Sequence, residues 1–373
     1  MRFVLVGPSA PLRGGIAIEN DALARALTQA GHTVEQISFR RLYPTLLFPG
    51  RTQVDETSTP STSLPAARHC LDSIDPHSWW TTARTIVRLW PHRVTFQWWH
   101  PFFAPCYAAI LAYLKRTSPE VRRILISHNT RPHEPLPGQD LALRLIARLC
   151  DEIIVHARSE YELTTQIAPY ATVRMVEYPL LGTRRPLPSR EEAQQRLGVS
   201  GRILLFLGYI RKYKGLDLLL RALAQVPTDL AVSLLIAGEF YEPVQKYREL
   251  VQTLGLTDRV RILNRYVPEP EWPDLFSASD ALVLPYRAAS QSMSIALAYE
   301  FDKPVIVSRV GGLADAVEDG RTGLVAEPEP AALAAAIQRL YDEFLAGPYK
   351  EHIAARRQRL GWDPFLRVLT GSG

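Results

Sequence analysis

The chain alternates short apolar runs with longer stretches in which apolar residues recur every three or four positions. Apolar runs such as 203–207 and 304–308 predict strands that are buried on both faces of a parallel sheet. The stretches with the longer period predict helices that pack against that sheet. Strands and helices that alternate along most of a chain are typical of an α/β fold.

This pattern predicts an ordered series of elements. The predicted strands cover 1–7, 32–39, 93–99, 123–127, 152–156, 173–178, 203–207, 231–237, 259–263, 281–286 and 304–308. The predicted helices cover 17–30, 79–89, 104–114, 139–150, 158–168, 216–225, 243–254, 270–278, 291–301, 329–345 and 362–369. The segment 40–77 is rich in Thr, Ser and Pro and predicts a long irregular loop, either functional or mobile.

A chain of 373 residues is too long for one ordinary core, so two domains are expected. The α/β pattern stops at GTRRPLPS and resumes with a helix that starts at Ser189. We therefore predict a first domain at 1–182, a hinge at 183–189 and a second domain from 190 onward.

Composition excludes several classes of protein. With 47% hydrophobic and 22% charged residues, the chain is expected to be globular and not disordered. The net charge of +5 suits an anionic partner, either a pyrophosphate or a phospholipid surface, although it is also compatible with an ordinary solvated face. Nucleic acid is not expected, because no Lys/Arg stripe is interleaved with aromatic residues.

The cysteines and the apolar runs bear on the cellular setting. Three widely separated cysteines, with no Cys or His at metal-ligand spacing, predict neither a disulfide framework nor a zinc site and fit a reducing cytoplasm. The N-terminus predicts a strand and no signal peptide. The longest apolar run, 104–114, is well short of the ~20 residues of a spanning helix and predicts a buried core helix, with an interfacial helix as the alternative.

Candidate chemistry in the first half lies at strand ends. Gly14 and Gly15 precede a predicted helix and could offer backbone amides to a phosphate, although the residues alone favour a plain tight turn. Their spacing is not GxGxxG, which argues against a nicotinamide or flavin dinucleotide. His128, His133 and Glu134 follow the strand 123–127, where they could orient a polarised substrate or serve only a structural role.

Candidate chemistry in the second half is cationic. Arg211, Lys212 and Lys214 cluster in the loop after strand 203–207, where they could stabilise a diphosphate leaving group or form an ordinary solvated loop. Further on, a strand–loop–helix–strand–loop–helix order should place loops 287–292 and 309–312 side by side.

Ser290 is the predicted N-cap of the helix that follows this first loop. As a cap it would direct the amides of Gln291, Ser292 and Met293 toward an anion. The alternative is that this stretch contains only two ordinary βα units of the core, and that Ser290 does nothing beyond capping its helix.

A series of motifs in the second half carries a specific resemblance. Its members, in order, are Pro285-Tyr286, Ser290-Gln291-Ser292, Ala298-Tyr299, Lys303-Pro304-Val305, Gly311-Gly312, Gly320, Gly323 and Pro328. This order resembles the donor-binding half of the retaining GT-B glycosyltransferases of family 4, in the branch with a Ser/Thr-Gln-Ser block. The resemblance implies two Rossmann-like, doubly wound domains facing a central cleft, with an acceptor-side domain at 1–182 and a nucleotide-sugar donor domain at 190–355. It also implies that 356–373 is a terminal helix that crosses back to the first domain.

The resemblance assigns roles to individual residues. It implies catalytic roles for His128, Arg211 and Lys214. The acceptor-side roles of His133 and Glu134 are predicted from their position after the strand 123–127 and not from the resemblance. Donor-binding roles fall on Gly14, Gly15, Tyr266, Val267, Ser290, Gln291, Ser292 and Met293, the pair 266–267 through the backbone of the base-holding loop 264–268.

The chain also departs from the family pattern. Ala289 and Leu297 stand where most members carry two glutamates, and Tyr209 stands where an arginine is usual. Met293 and Asp302 replace usual glycines, and Glu300 is a candidate substitute for contact with the ribose.

The resemblance leads to a functional expectation. The chain would transfer a sugar from a nucleotide-diphosphate sugar to a hydroxyl acceptor with retained configuration, in polysaccharide or glycolipid assembly. No cofactor is expected, and no metal, since Asp-x-Asp is absent. The expected location is cytoplasmic, with peripheral contact at an anionic inner membrane face. Two alternatives stay open: a sugar-nucleotide epimerase that uses Glu134, and a non-catalytic nucleotide-sugar-binding module.

Overall fold

The computed structural model describes residues 1–45, 48, 50–55, 66–134, 136–183 and 185–371. The strands are β1 Arg2–Val6, β2 Thr33–Arg41, β3 Arg68–Asp72, β4 Arg93–Trp98, β5 Arg122–Ser127, β6 Glu152–Val155, β7 Val173–Met175, β8 Arg202–Leu207, β9 Val232–Ala237, β10 Val260–Leu263, β11 Ala281–Leu284, β12 Val305–Ser308 and β13 Gly323–Ala326. The helices are α1 Gly15–Gln29, α2 Pro76–Arg88, α3 Ala104–Thr117, α4 Gln139–Ala147, α5 Arg158–Ile167, α6 Arg190–Leu197, α7 Leu216–Leu223, α8 Val244–Thr253, α9 Trp272–Ala278, α10 Met293–Glu300, α11 Gly312–Asp315, α12 Pro330–Asp342, α13 Tyr349–Arg359 and α14 Trp362–Thr370.

The chain divides into two compact units. Unit 1 comprises Met1–Pro179 and Trp362–Gly373, and unit 2 comprises Leu180–Gly361. Unit 1 contains a sheet of order β3-β2-β1-β4-β5-β6-β7, and unit 2 a sheet of order β10-β9-β8-β11-β12-β13. All neighbouring strands in both sheets pair in parallel. The predicted α/β class with two doubly wound parallel sheets is confirmed.

Unit 1 buries its sheet on both faces. Phe3 and Leu5 of β1 pack on one face with Phe365 and Leu369 of α14. Val4 and Val6 of the same strand contribute to the core on the other face. These side chains are fully or almost fully buried, as a continuous apolar strand in a parallel sheet requires.

The winding of unit 2 determines where a ligand can approach. Strand β8 lies between β9 and β11, so the chain leaves β8 toward one edge and later returns to its other side. In open parallel sheets such a switch point leaves a crevice at the carboxyl ends of the two central strands. The loops after β8 and β11 therefore line the expected ligand crevice of unit 2.

The segment 40–77 differs from its prediction. It contains β3 and the start of α2, which Asp75 caps by accepting a hydrogen bond from His77 N. The pattern concealed β3 because this edge strand is buried only at its last two residues. The remainder of the predicted loop at 46, 47, 49 and 56–65 lies outside the described residues. Strand β13, which forms one edge of the sheet in unit 2, was also not predicted.

The predicted boundaries also need correction. Residues 180–182 belong to unit 2 and not to the first domain, because Leu180 N donates to Leu360 O at 2.9 Å and the Glu300 carboxylate binds Gly182 and the following Thr183. The helix that belongs to unit 1 begins at Trp362 and not at 356, since α13 ends at Arg359 and its Arg357 pairs with Asp302 in unit 2. Within the predicted hinge 183–189, residue 184 lies outside the described part.

The apolar run 104–114 forms most of α3, whose Cys106, Ile110 and Leu111 are completely buried. The expectation of a core helix is met, and the interfacial alternative is not. Among the helices in the described part of the chain, none combines the length and the apolar character needed to cross a bilayer.

Candidate functional site

The loops after β8 and β11 in unit 2 are bound to each other. Arg287 N donates to Tyr213 O at 2.7 Å, and the Arg287 guanidinium forms two 2.7 Å bonds with the Asp217 carboxylate. Gly215 has a φ of +67°, and a Cβ there would lie 2.0 Å from Pro285 O. Only glycine allows the backbone at residue 215 to come this close to Pro285 O. The backbones of the two loops therefore pack directly against each other beside the crevice.

The loop after β12 joins the same structure. Gly312 N donates to Ser290 O at 3.1 Å. Gly311 has a φ of +45°, and a Cβ there would lie 1.7 Å from Ala289 O. Loops 287–292 and 309–312 are therefore adjacent, as the strand–loop–helix order predicts.

Lys214 places a poorly compensated cation in this crevice. Its Nζ lies 5.4 Å from the centre of the Tyr286 ring. Gly208 leaves room for it, since a Cβ at residue 208 would lie 2.9 Å from Lys214 Nζ. Burial, together with the nearby Arg211, lowers the pKa of Lys214 below 10.5. In the part of the chain that the structure describes, no carboxylate pairs with this ammonium group.

Arg211 lies among tyrosines. Its guanidinium carbon is 4.8 Å from the centre of the Tyr241 ring, which is cation–π distance. Tyr209, at the position where an arginine is usual, packs on Tyr241 and Tyr266 with ring centres 4.8 and 6.2 Å apart. The tyrosine at position 209 thus forms an aromatic group that includes Tyr266, one of the two predicted base-holding residues.

The predicted cap at Ser290 is wrong. Helix α10 begins at Met293, and its N-cap is Ser292, whose Oγ accepts from Ser294 N at 3.3 Å. The backbone at 289–290 cannot enter the helix, because Gly311 and Gly312 pack against it. Ser290 is buried in the loop, and the amides of the first helical turn start at Met293. Gln291 Oε1 is buried and, among the described residues, receives no hydrogen bond.

Glu300 does not replace the missing glutamates. Its carboxylate accepts from Gly182 N at 2.7 Å, Thr183 N at 3.0 Å and Thr183 Oγ1 at 2.7 Å. The carboxylate is therefore committed to the start of unit 2 and not to a ribose. Asp302 has a φ of +57°, a left-handed conformation that explains why a glycine would suit this position.

In unit 1, the predicted glycine loop leads into α1. Gly14 has a φ of +114° and is the N-cap residue, and Gly15 is the first residue of the helix. Arg13 N donates to Gln53 O at 2.9 Å, and Leu12 forms an antiparallel bridge with Val54. The loop is therefore held against segment 52–55, and its conformation at Gly14 requires glycine.

His128 follows β5 directly, as predicted, but its side chain is buried and engaged. Its Nε2 lies 2.6 Å from Gln97 Oε1, and its Nδ1 lies 3.1 Å from Glu19 Oε2. Gln97 Nε2 in turn donates to Asn20 Oδ1 at 3.0 Å. The predicted contact of the imidazole with a donor sugar therefore needs correction, because both ring nitrogens already face protein groups.

Glu19, His156 and Tyr178 complete this buried cluster, and the sequence did not indicate any of the three. Burial alone would raise the pKa of Glu19, but His128 and His156 outweigh it and hold that pKa below its ordinary value. Tyr178 donates its hydroxyl to Glu19 Oε2. Burial lowers the pKa of His156 to about 4, so its imidazole is neutral near pH 7. The three ligand atoms of Glu19, His128 and His156 lie within 4.8 Å of one another.

His133 and Glu134 lie apart from this cluster in the turn after β5. Glu134 is exposed, and the neighbouring Arg131 forms a two-bond ion pair with Asp140. Neither residue belongs to the cluster of Glu19, His128 and His156. Their acceptor-side roles stay predictions.

The chain resembles known proteins over its second unit in sequence and over its whole length in fold. The sequence profile of the family described as "Glycosyl transferases group 1" matches residues 201–343. The D-inositol 3-phosphate glycosyltransferase 1 of Catenulispora acidiphila is 34% identical over 166 residues, which is 41% of this chain and 40% of that protein. The match thus spans less than half the length of this curated relative.

Two solved structures share the fold. The sucrose-phosphate synthase of Thermosynechococcus elongatus aligns over 100% of both chains with a TM-score of 0.72 and 20% identity. Anabaena HepE, solved in complex with UDP and glucose, aligns over 99% of this chain and 98% of its own with a TM-score of 0.79 and 17% identity. At these identities the likeness establishes the fold alone, which is that of the GT-B glycosyltransferases. Residues 201–343, which contain all the loops of the unit 2 crevice, are similar to the glycosyl transferases group 1 family.

Proposed function

We propose that this protein is a retaining glycosyltransferase that moves a sugar from a nucleotide-diphosphate donor to a hydroxyl acceptor. The family match covers every loop at the switch point of unit 2, and that crevice is where an open parallel sheet binds its ligand. HepE was solved with UDP and glucose, so UDP-glucose is the first donor to test.

Lys214 is the observation that carries this proposal. A half-buried ammonium group with a lowered pKa and no ion pair within the described residues is stabilised when a dianion binds beside it. The same charge would stabilise the nucleotide diphosphate as it leaves, without any rearrangement of the protein. Burial keeps the Tyr286 phenol neutral by raising its pKa to about 12, so this neighbour does not cancel the charge.

The remaining donor contacts follow from the crevice. We assign Arg211 a supporting role at the diphosphate, and Tyr266 and Val267 the nucleoside end, where the Tyr209 ring adds a stacking surface. Ser290, Gln291, Ser292 and Met293 would contact the sugar or its phosphate, with the first-turn amides of α10 as donors. No step in this scheme needs a cofactor or a metal at the phosphates.

The wider setting is part of the proposal. Gly14 and Gly15 stay candidates for donor contact because their loop presents an open helix start. We propose a polysaccharide or glycolipid acceptor and a cytoplasmic location with peripheral contact at an anionic membrane. The unpaired Cys70, Cys106 and Cys150 suit a reducing compartment.

Calorimetric titration of UDP, GDP, ADP and their glucose and mannose conjugates tests the donor site. Wild type should bind one nucleotide series, and Lys214→Ala should bind it about 10- to 100-fold more weakly, since a charge-assisted phosphate contact is worth about 1.5–3 kcal/mol. Lys212→Ala is the matched control, because Lys212 lies in the same loop with an exposed side chain. It should bind like wild type.

Two outcomes would count against the proposal. Equal weakening by both substitutions would mean that the loop acts only through its general charge. Absence of binding to every nucleotide would remove the donor site altogether. With a donor identified, NMR of the anomeric proton in the product tests retention, and a product with inverted configuration would contradict that part.

A further inference from the structure

The buried cluster in unit 1 has a polar atom that the protein leaves unsatisfied. His156 Nδ1 lies 3.0 Å from Val176 O, a carbonyl that can only accept, so Nδ1 carries the proton. His156 Nε2 therefore presents a lone pair, and among the described atoms it has no hydrogen-bond partner. The atom it faces, Glu19 Oε1 at 3.7 Å, is itself an acceptor. Two electron-rich atoms face each other in a fully buried position, which is unfavourable unless a positive charge lies between them.

His128 is oriented in the same way. Asn20 Nδ2 donates to Pro8 O at 3.1 Å, so Asn20 Oδ1 accepts from Gln97 Nε2. Gln97 Oε1 is then the atom that faces His128 Nε2, and the ring must donate there. The other nitrogen of His128, Nδ1, points at Glu19 Oε2 from 3.1 Å.

Both imidazoles thus donate one nitrogen to a carbonyl oxygen and direct the other nitrogen at the Glu19 carboxylate. Metal-binding histidines in proteins almost always have this arrangement, in which the outer hydrogen bond selects the tautomer and orients the ring. Tyr178 supports the carboxylate with a hydroxyl donor.

The distances also suit an ion. An ion about 2.1 Å from both His156 Nε2 and Glu19 Oε1, which lie 3.7 Å apart, would form an angle of about 124° with them, near the tetrahedral angle of about 109°. The 3.1 Å contact of His128 Nδ1 is with the other carboxylate oxygen, Glu19 Oε2. A water molecule at about 2.8 Å from both atoms of the 3.7 Å pair would need an angle near 83°, which is narrow for its two hydrogen bonds. Two ligands of one Zn²⁺ lie at most about 4.2 Å apart, so ligand atoms that lie within 4.8 Å need to move by less than about 1 Å.

We propose that Glu19, His128 and His156 form a binding site for one divalent transition-metal ion of the zinc type. Two imidazoles and one carboxylate are the ligands that Zn²⁺ accepts, whereas Mg²⁺ and Ca²⁺ prefer sites built from oxygen alone. The ion would join α1 to the residues that follow β5 and β6. Glu19 lies one helical turn beyond Gly15, so the ion would also stabilise the start of α1 and its glycine loop. The site lies in unit 1 and is independent of the donor chemistry proposed for unit 2.

Zinc analysis of the full-length protein tests this site. After chelator treatment and dialysis, wild type titrated with ZnCl₂ should bind one Zn²⁺ per chain. Glu19→Gln and His156→Gln should each lose most of this affinity. Gln97→Met keeps all three ligands but removes the outer acceptor of His128, together with the Gln97 donor to Asn20, and should weaken binding by about 10- to 100-fold. His77→Gln is the control, because His77 is an exposed histidine of the same unit, and it should bind like wild type.

Wild type alone provides a second measurement in case the buried substitutions prevent folding. Co²⁺ in place of Zn²⁺ should give the visible absorption bands of a tetrahedral nitrogen–oxygen site, and the melting temperature should rise with free Zn²⁺. The proposal is overturned if wild type takes up no stoichiometric Zn²⁺ and shows no such bands. It is also overturned if folded Glu19→Gln or His156→Gln binds Zn²⁺ as wild type does. Donor binding is not needed for any of these measurements, so their failure leaves the proposed function unaffected.

Discussion

Lys214 shows how a single residue is prepared for an anion. Gly208, with a φ of +116°, leaves the space that the ammonium group occupies, and any side chain there would meet Lys214 Nζ. The Tyr286 ring offers its face to the cation but cannot accept its charge as a carboxylate would. The cost of partial burial is therefore left uncompensated until a ligand binds, and it appears as a lowered pKa of Lys214.

This lowered pKa predicts a pH dependence of donor binding. Only protonated Lys214 attracts a diphosphate, and the free protein loses that proton at a pH below 10.5. The affinity of wild type for its nucleotide should therefore fall as pH rises through that range and approach the affinity of Lys214→Ala, about 10- to 100-fold lower. Calorimetry from pH 7 to 10, reporting proton uptake on binding, measures this. A Lys214→Ala variant with the same fall as wild type would refute the assignment.

At the scale of elements, α10 shows that a cap is decided by neighbouring loops. Ser290 and Ser292 are equally good capping residues in sequence. The loop after β12 holds the backbone at Ser290 outside the helix through Gly312 N, so the helix starts beyond Ser292. The amides that the helix offers to an anion are therefore those from Met293 onward.

Substitution of the two serines should have unequal effects. Ser292→Ala removes the oxygen that accepts from Ser294 N and should destabilise α10 by about 0.5–2 kcal/mol. Amide hydrogen exchange in the segment Met293–Leu297 should then be about 2- to 30-fold faster. Ser290→Ala is the matched control and should leave this exchange close to that of wild type. Equal acceleration by both substitutions would show that Ser292 is not the effective cap.

At the scale of the whole molecule, one buried carboxylate determines where unit 2 begins. Glu300, at the end of α10, binds three donors of Gly182 and Thr183, and Leu180 pairs with Leu360. The segment that follows unit 1 is therefore fastened to unit 2 from its first residues. The hinge predicted from proline and charge alone began at 183, after the contacts of Leu180 and Gly182 and at the residue that forms the other two.

Glu300→Gln should release this segment. Gln has one acceptor oxygen in place of a charged carboxylate, and its NH₂ group would face either the Gly182 N–H or the N–H and hydroxyl of Thr183, which are all donors. Bonds to a charged group are worth about 1.5–3 kcal/mol, so tryptic cleavage of the bond between Arg184 and Arg185 should accelerate. Glu191→Gln, an exposed carboxylate on the nearby α6, is the control and should be cleaved like wild type. Unchanged cleavage of Glu300→Gln would mean that other contacts hold the segment.

The local pattern was enough to predict the α/β class, most strands and helices, the adjacency of the loops after β11 and β12, and Lys214 as a candidate. These features depend on the spacing of apolar residues within each element and on the shared direction of parallel strands. Both can be read from residues that lie close together along the chain. Strand β3 escaped prediction because this edge strand is buried only at its last two residues and carries a weak apolar period. Strand β13 is buried at three of its four residues, but it is short and begins with a glycine, so its apolar run is brief.

Only the tertiary structure could decide which distant residues meet. Glu19, His128 and His156 lie on separate elements and come together because β1, β4, β5 and β6 are ordered side by side in one sheet. The partners of Glu300 and the true cap of α10 depend in the same way on contacts between segments far apart in the chain. Sequence spacing records the period of each element, whereas a site of this kind depends on the order in which the elements pack.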